Sequence, residues 1–161
     1  MYSFRRYLIA MHPLFSIQTV FSTTNRARAD ITDTTVRNME SLMVIFSADA
    51  NSELNVLGAS VFDNAPNNLW TAVNVDVNSV GNIVNSTFDN NANTEYVFAA
   101  LTDSTLNLQS VFVDGAIGGN VLVPSATSAV AFASIDSTIN FDRVEFTDIS
   151  NFLVRLIINT R

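Results

Sequence analysis

Apolar residues in this 161-residue chain come in short runs of three to five, separated by Asn, Asp, Ser or Gly. No stretch keeps the i, i+3, i+4, i+7 spacing that places apolar side chains along one face of a helix. Short apolar runs between turn-forming residues are typical of β-strands. The pattern therefore predicts an all-β chain.

One nine-residue pattern occurs four times without a gap. It consists of Asn or Asp, an apolar residue, a large apolar residue near the seventh position, and a closing Asp, Asn or Gly. The copies are residues 30–38, 82–90, 107–115 and 140–148. A fifth copy, residues 55–64, fits the pattern when one inserted residue is allowed.

A second series of apolar pairs has the same period. Its spacings are 25, 27, 25, 33 and 26 residues, and its members are Val20-Phe21, Ile45-Phe46, Ala72-Val73, Val97-Phe98, Val130-Ala131 and Leu156-Ile157. Such periods indicate a solenoid. Because every unit has the same order of short β segments, each segment pairs with its equivalent one unit later. The sequence predicts a right-handed parallel β-helix of about five to six coils, with the hand set by the usual chirality of parallel crossovers.

Stacking turns each repeated position into a column of like side chains. The first predicted inward column is Ile31, Val56, Ile83, Leu108 and Phe141, and the second is Val36, Phe62, Phe88, Val113 and Phe146. A polar column is Asp30, Asn55, Asn82, Asn107 and Asn140. We expect the polar column where each strand bends, because stacked amides there can bond the backbone groups that a turn leaves open.

Residues 81–91 (GNIVNSTFDNN) and 105–115 (TLNLQSVFVDG) resemble coils of the pectin-lyase-like right-handed β-helix superfamily and the short repeats of polymorphic outer-membrane and adhesin-type β-helices. The likeness covers roughly residues 18–158 and specifies coil geometry rather than chemistry. It implies an extracellular or cell-surface protein. The 33-residue interval contains an insertion at residues 117–128, interpreted either as a binding loop or as a tolerated surface loop.

The ends of the chain are interpreted separately from the β-helix domain, which is assigned to residues 18–161. Residues 1–17 resemble part of a secretory signal, since Arg5-Arg6 precedes an apolar stretch and Ala27-Arg28-Ala29 follows it. Alternatively, residues 3–9 align with residues 140–146 and form part of an earlier coil. At the other end Leu156-Ile157 begins a coil without a polar cap. We therefore expect a truncated domain, or a further β-helix segment or another protein at the exposed strand edges.

The composition excludes several partners and chemistries. The chain contains eleven Asp, four Glu, eight Arg and no Lys, which gives a net charge of −7. Such a surface repels phosphates, so we expect no nucleic-acid partner. The absence of Cys excludes disulfides, thiolate zinc sites and cysteine nucleophiles. No apolar span of about 20 residues is present, so no transmembrane segment is predicted.

An acidic column is the candidate metal site. The nine-residue copies place Arg37, Asp63, Asp89, Asp114 and Thr147 at equivalent positions. Outward carboxylates at Asp63, Asp89 and Asp114 would lie about 5 Å apart and repel one another unless water, Arg or a cation separates them. Such oxygens suit Ca²⁺, and the resemblance implies the same, because pectate-lyase-like enzymes hold Ca²⁺ with Asp residues on one face. The alternative is ordinary turn chemistry relieved by solvent.

Two aromatic residues are the candidate ligand-binding residues. Trp70 and Tyr96 each follow a turn and lie 26 residues apart, so they can stack on one face of the coil. Exposed aromatic rings at solenoid spacing hold sugar rings in a polysaccharide, whereas buried ones fill the corner of a core. The sequence leaves both interpretations open.

Catalysis finds little support in the sequence. The single His12 stands beside Pro13 in the irregular N-terminal segment, and no Lys is available as a base. The Asn-Thr-Asp, Asp-Asp and Gly-His-Gly motifs of β-helix polygalacturonases are missing. No catalytic residue is predicted. The sequence favours a non-catalytic module for structure, adhesion or glycan binding. The alternative is a fragment or divergent member of the carbohydrate-active β-helix enzymes, either a Ca²⁺-dependent polysaccharide lyase or a glycoside hydrolase.

Overall fold

The described residues of the computed structural model form strands and turns and no helix. They are residues 2–5, 8–10, 17–37, 42–62, 69–89, 96–115, 129–134 and 136–150. Their strands are β1 (Tyr2–Arg5), β2 (Leu8–Ala10), β3 (Ile17–Thr23), β4 (Arg28–Thr32), β5 (Thr35–Arg37), β6 (Leu42–Ala48), β7 (Glu53–Leu57), β8 (Ser60–Phe62), β9 (Leu69–Val75), β10 (Val80–Val84), β11 (Thr87–Asp89), β12 (Tyr96–Ala100), β13 (Thr105–Asp114), β14 (Ala129–Ala133) and β15 (Thr138–Thr147). The predicted all-β class is confirmed.

All the strand pairs are parallel, and the strands form a large and a small sheet. The small sheet has the order β14-β12-β9-β6-β3. The large sheet curls, because β13 pairs with β10 through its first half and with β11 through its second half. From β1 to β10 each strand pairs with the strand three positions later. Because β13 continues through two strand positions, β11 pairs with β13 and β12 with β14, two positions later. Curled parallel sheets with this order are consistent with a parallel β-helix.

The register of the small sheet follows the predicted spacing. Thr19 pairs with Val44, Val44 with Thr71, Thr71 with Tyr96, and Tyr96 with Ala129. These steps are 25, 27, 25 and 33 residues, as the apolar pairs predicted. The insertion at residues 117–128 and the last pair, Leu156-Ile157, lie outside the described residues.

The first inward column is also confirmed in register. Ile31, Val56, Ile83 and Leu108 pair in succession and are each at most 1% exposed. Phe141 continues the column opposite Leu108 but is 44% exposed. Its strand, β15, pairs with β13 and with no other described strand. Within the described part of the chain, Phe141 therefore lies at an open edge of the large sheet.

The one-residue insertion predicted in the copy at residues 55–64 is wrong. The 25-residue register runs unbroken from Arg28 opposite Glu53 to Arg37 opposite Phe62. The second inward column therefore contains Val61, which is fully buried, in place of Phe62. The sequence comparison aligned Phe62 with the aromatic Phe88, but Val fills the same inward position.

The polar column lies in the middle of the strands, so its predicted place at a bend is also wrong. The bend comes three residues later, where Asp33, Gly58, Asn85, Ser110 and Arg143 all adopt positive φ. The turns before β4, β7, β10 and β13 each contain two consecutive positive-φ residues, such as Ala50-Asn51 and Val77-Asn78. Asn, Asp and Gly adopt this left-handed conformation most readily, which explains their repeated use at these turns.

Candidate functional site

A groove lies along the small sheet where its strands bend. The rows Ile45, Ala72, Val97 and Phe46, Val73, Phe98 are consecutive, yet all six side chains are fully buried. Two successive inward rows mean that strict alternation is interrupted between them. The flanking rows, with Val44, Thr71 and Tyr96 on one side and Asn74 and Ala99 on the other, therefore line the same groove. Asp76 and Leu101, just beyond the ends of β9 and β12, complete the described lining.

One residue of the groove lining, Tyr96, belongs to an aromatic pair. The ring of Tyr96 stacks on the ring of Phe132, with centroids 4.8 Å apart and an interplanar angle of 23°. Tyr96 is half-buried, as is Phe132. Large aromatic faces of this kind combine apolar area with few rotatable bonds. The pair therefore offers a rigid surface on which an apolar ring face can rest.

Few polar side chains line the described part of the groove. Besides Tyr96, they are Thr71, Asn74 and Asp76, and Asp76 is the charged residue of the described lining. Its Oδ1 accepts a hydrogen bond from the backbone N–H of Val77 at 2.8 Å, which holds the carboxylate at the end of β9. The groove volume of about 250 Å³ lies just below the range of roughly 300 to 1,000 Å³ typical of enclosing pockets. It suits a ring-sized group bound at a surface.

Of the two aromatic residues singled out in the sequence, the structure places Tyr96 in the groove. Its register partner is Thr71, so Trp70 stands one position earlier along β9. The Trp70 side chain lies outside the described part of the chain. Aligning the repeats did not identify Phe132 as a neighbour of Tyr96, because the register partner of Phe132 is Ala99. Only the bend between the two rows brings the rings together.

The acidic column is partly assembled. Asp89 pairs in register with Asp114, and Asp114 with Thr147. The Thr147 hydroxyl donates a hydrogen bond of 2.6 Å to Asp114 Oδ1. Phe62, rather than an acid, is the partner of Asp89 on its other side, and Asp63 falls outside the described residues. Among the residues that the structure describes, no group of three or more His, Cys, Asp or Glu is arranged to hold a metal ion.

A ladder of side-chain amides runs across the large sheet. Asn55 donates to Asp30, Asn82 to Asn55, Asn107 to Asn82, and Asn140 to Asn107, over 2.7 to 2.8 Å. Every donor points toward the earlier unit. Asp30 stands at the accepting end of the ladder. Its carboxylate accepts the hydrogen bond from Asn55 and has no proton to donate. The hydrogen bond from Asn55 is the largest cause that lowers the pKa of Asp30 below its ordinary 3.8; burial opposes it, and Arg28 adds to it.

No family model, curated protein or solved structure matches the chain. The parallel, curled sheets are consistent with a parallel β-helix, and the resemblance to pectin-lyase-like coils rests on the repeats of the sequence alone. The only His in the sequence, His12, lies outside the described residues. Within the described part of the chain, no helix is long and apolar enough to cross a membrane.

Proposed function

We propose that this chain is a non-catalytic, right-handed parallel β-helix module of about five to six coils that binds glycans outside the cell or at its surface. The position of Tyr96 in a groove with polar side chains, where its ring stacks on Phe132, carries the proposal. Sugar rings have an apolar C–H face that packs on aromatic rings, and hydroxyl groups that bond to Asn and Asp side chains. A solenoid offers such a face without needing a closed active site.

The groove favours neutral sugars over acidic ones. Asp76 is the charged residue of its described lining, and a second carboxylate on a uronic acid would be repelled by it. Asn74 has both a donor and an acceptor, which matches the hydroxyl groups of a neutral sugar. The expected ligand class is therefore a neutral oligosaccharide held by one or two rings.

A binding experiment on purified protein tests this function. An array of neutral and uronic-acid oligosaccharides, followed by calorimetric titration of the best neutral binder, should show saturable binding to neutral sugars. Tyr96→Ala should weaken it by about tenfold, since the apolar area that a sugar ring buries on the tyrosine ring contributes roughly 1–2 kcal/mol. Tyr96→Phe keeps the ring and is the matched control, so it should bind nearly as well as wild type. Equal losses in both variants, or no neutral binder, would contradict the proposal.

The Ca²⁺-dependent lyase alternative predicts a different result on the same samples. Acidic polysaccharide with Ca²⁺ should then give unsaturated product that absorbs ultraviolet light, and Asp89→Ala or Asp114→Ala should abolish it. For the binding module we expect no such product, and an unchanged thermal midpoint when Ca²⁺ is added. Product formation that depends on these two residues would replace the binding proposal with the enzymatic one.

A further inference from the structure

The open edge of β15 exposes side chains that belong to core columns. Phe141 and Phe146 are 44% and 37% exposed, although their register partners Leu108 and Val113 are fully buried. Their rings contact each other with centroids 6.4 Å apart. The free backbone N–H and C=O groups along the outer side of an edge strand are a template for another strand, and exposed apolar side chains favour such pairing. The columns of the large sheet specify what that strand must carry.

The strand at the other end of the same sheet matches these requirements. β1 pairs with β4 and with no other described strand, and its register places Ser3 in the column of Asp30 and Phe4 in the column of Ile31. β2 places Ile9 in the column of Val36. A second copy laid on β15 in the same register sets Ser3 beside Asn140, Phe4 beside Phe141 and Ile9 beside Phe146. The two inward positions, Phe4 and Ile9, then meet apolar residues, and the polar Ser3 meets the polar Asn140.

The charges at these positions are complementary. The column that begins with Arg5 ends with Asp142, through Thr32, Leu57, Val84 and Gln109. Residues 1–17, which include β1 and β2, contain two Arg and no acid, whereas residues 134–150 contain four acids and one Arg, giving +2 and −3. Oppositely charged ends attract each other and speed a head-to-tail encounter.

Asp142 remains accessible to such a partner. Its side chain is 57% exposed, although Gln109 donates a hydrogen bond of 2.9 Å to its Oδ2. Arg143 contacts the same carboxylate at 3.3 Å but is itself 67% exposed. An exposed pair of this kind contributes little energy and yields readily to a second cation.

We propose that the β15 edge of one copy docks the β1–β2 edge of a second copy, in parallel and with Arg5 beside Asp142. The register then places Ser3 beside Asn140, at the position that extends the column of the amide ladder. The contact joins two different surfaces, so it repeats from copy to copy and builds an open fibre rather than a closed dimer. This assembly does not depend on the proposed glycan binding.

Sedimentation velocity on the full chain, up to about 1 mM protein at low salt, tests the contact. Wild type should form a concentration-dependent series of oligomers that shortens as salt screens the charges. Arg5→Asp and Asp142→Arg should each weaken association by about tenfold. Arg26→Asp changes the net charge equally but lies on a turn away from the edge, so it should associate as wild type does.

Mixing the two single variants separates this contact from other modes of association. Each variant alone brings two like charges together at the contact, two acids in Arg5→Asp and two bases in Asp142→Arg. In the mixture every contact between unlike variants pairs an acid with a base, so long oligomers of alternating copies should form again. The double variant Arg5→Asp/Asp142→Arg exchanges the two charges within one chain and should likewise form long oligomers by itself.

Circular dichroism confirms that each variant is folded before association is compared. A monomeric wild type, as when residues 151–161 cover the edge, would overturn the proposal. Single variants that fail to complement each other in the mixture would overturn it as well, because any other mode of association lacks this pairing of residues 5 and 142.

Discussion

The side-chain amide of Asn107 donates a hydrogen bond to the side-chain oxygen of Asn82 over 2.7 Å. Asn82 in turn donates to Asn55 over the same distance. Each internal member of the ladder therefore makes two side-chain hydrogen bonds between neighbouring units. These bonds lock the register, because a shift by one residue breaks every bond in the column.

Asn82→Ala should destabilise the fold by about 1–3 kcal/mol, since two hydrogen bonds are lost and each contributes roughly 0.5–1.5 kcal/mol. Urea unfolding followed by circular dichroism measures this. Asn140→Ala is the matched control in the same column. Asn140 is exposed and donates a single bond of the ladder, so its replacement should cost about half as much or less. Equal costs at the two positions would contradict the cooperative ladder.

A second prediction concerns the buried Ser column at the turns. Ser79 Oγ accepts the backbone N–H of Ser52 at 3.1 Å and donates to the carbonyl of Val77 at 3.2 Å. Ser79→Ala leaves that buried N–H without its partner and should cost about 1–3 kcal/mol of unfolding free energy. Urea unfolding again provides the measurement.

Ser52→Ala is the control for this prediction. Ser52 occupies the same turn position one unit earlier, yet its buried Oγ has no hydrogen-bond partner among the described residues. Removing an unsatisfied hydroxyl should leave stability unchanged or raise it slightly. A loss at Ser52 as large as the loss at Ser79 would show that the hydroxyl bridge between units is not what stabilises the turn.

A third prediction tests the packing around Gly81. A Cβ added there would lie 2.6 Å from Val75 Cγ2 and 3.1 Å from Leu106 Cδ1. Gly81→Ala should therefore destabilise the protein by about 1–3 kcal/mol through overpacking. The double variant Gly81→Ala/Val75→Ala removes the closer contact, so its thermal midpoint should lie above the value expected from adding the two single effects. Additive effects would refute the steric explanation.

A fourth prediction follows from the lowered pKa of Asp30. A carboxylate whose pKa is lower in the folded state than in the unfolded state stabilises the fold above the unfolded value, and the stabilisation disappears as pH falls through the folded value. The unfolded value is close to the ordinary 3.8. Wild type should thus be more stable than Asp30→Asn at pH 7, and this advantage should shrink progressively below pH 3.8. Unfolding free energies across the acid range measure it, and a constant difference would contradict it.

Much of the architecture follows from the sequence alone. In a parallel stack every unit repeats the same backbone path, so residues one period apart become neighbours and the period itself gives the register. This is why the spacings of the apolar pairs matched the pairing of Thr19, Val44, Thr71 and Tyr96. The polar column was likewise visible as recurrent Asn, because only a repeated environment preserves the same residue at the same place.

Three features of the tertiary structure cannot be derived from the repeat period. The contact of Tyr96 with Phe132 depends on a bend that puts two rows on one side, which no spacing of residues reveals. Whether an apolar column is covered depends on a neighbouring strand, so Ile31 is buried while Phe141 in the same column is exposed. The direction of the amide ladder, from each unit to the one before it, is likewise a property of side-chain conformation. The sequence by itself determined the repeat and its columns, whereas bending, coverage and side-chain orientation arose only from three-dimensional packing.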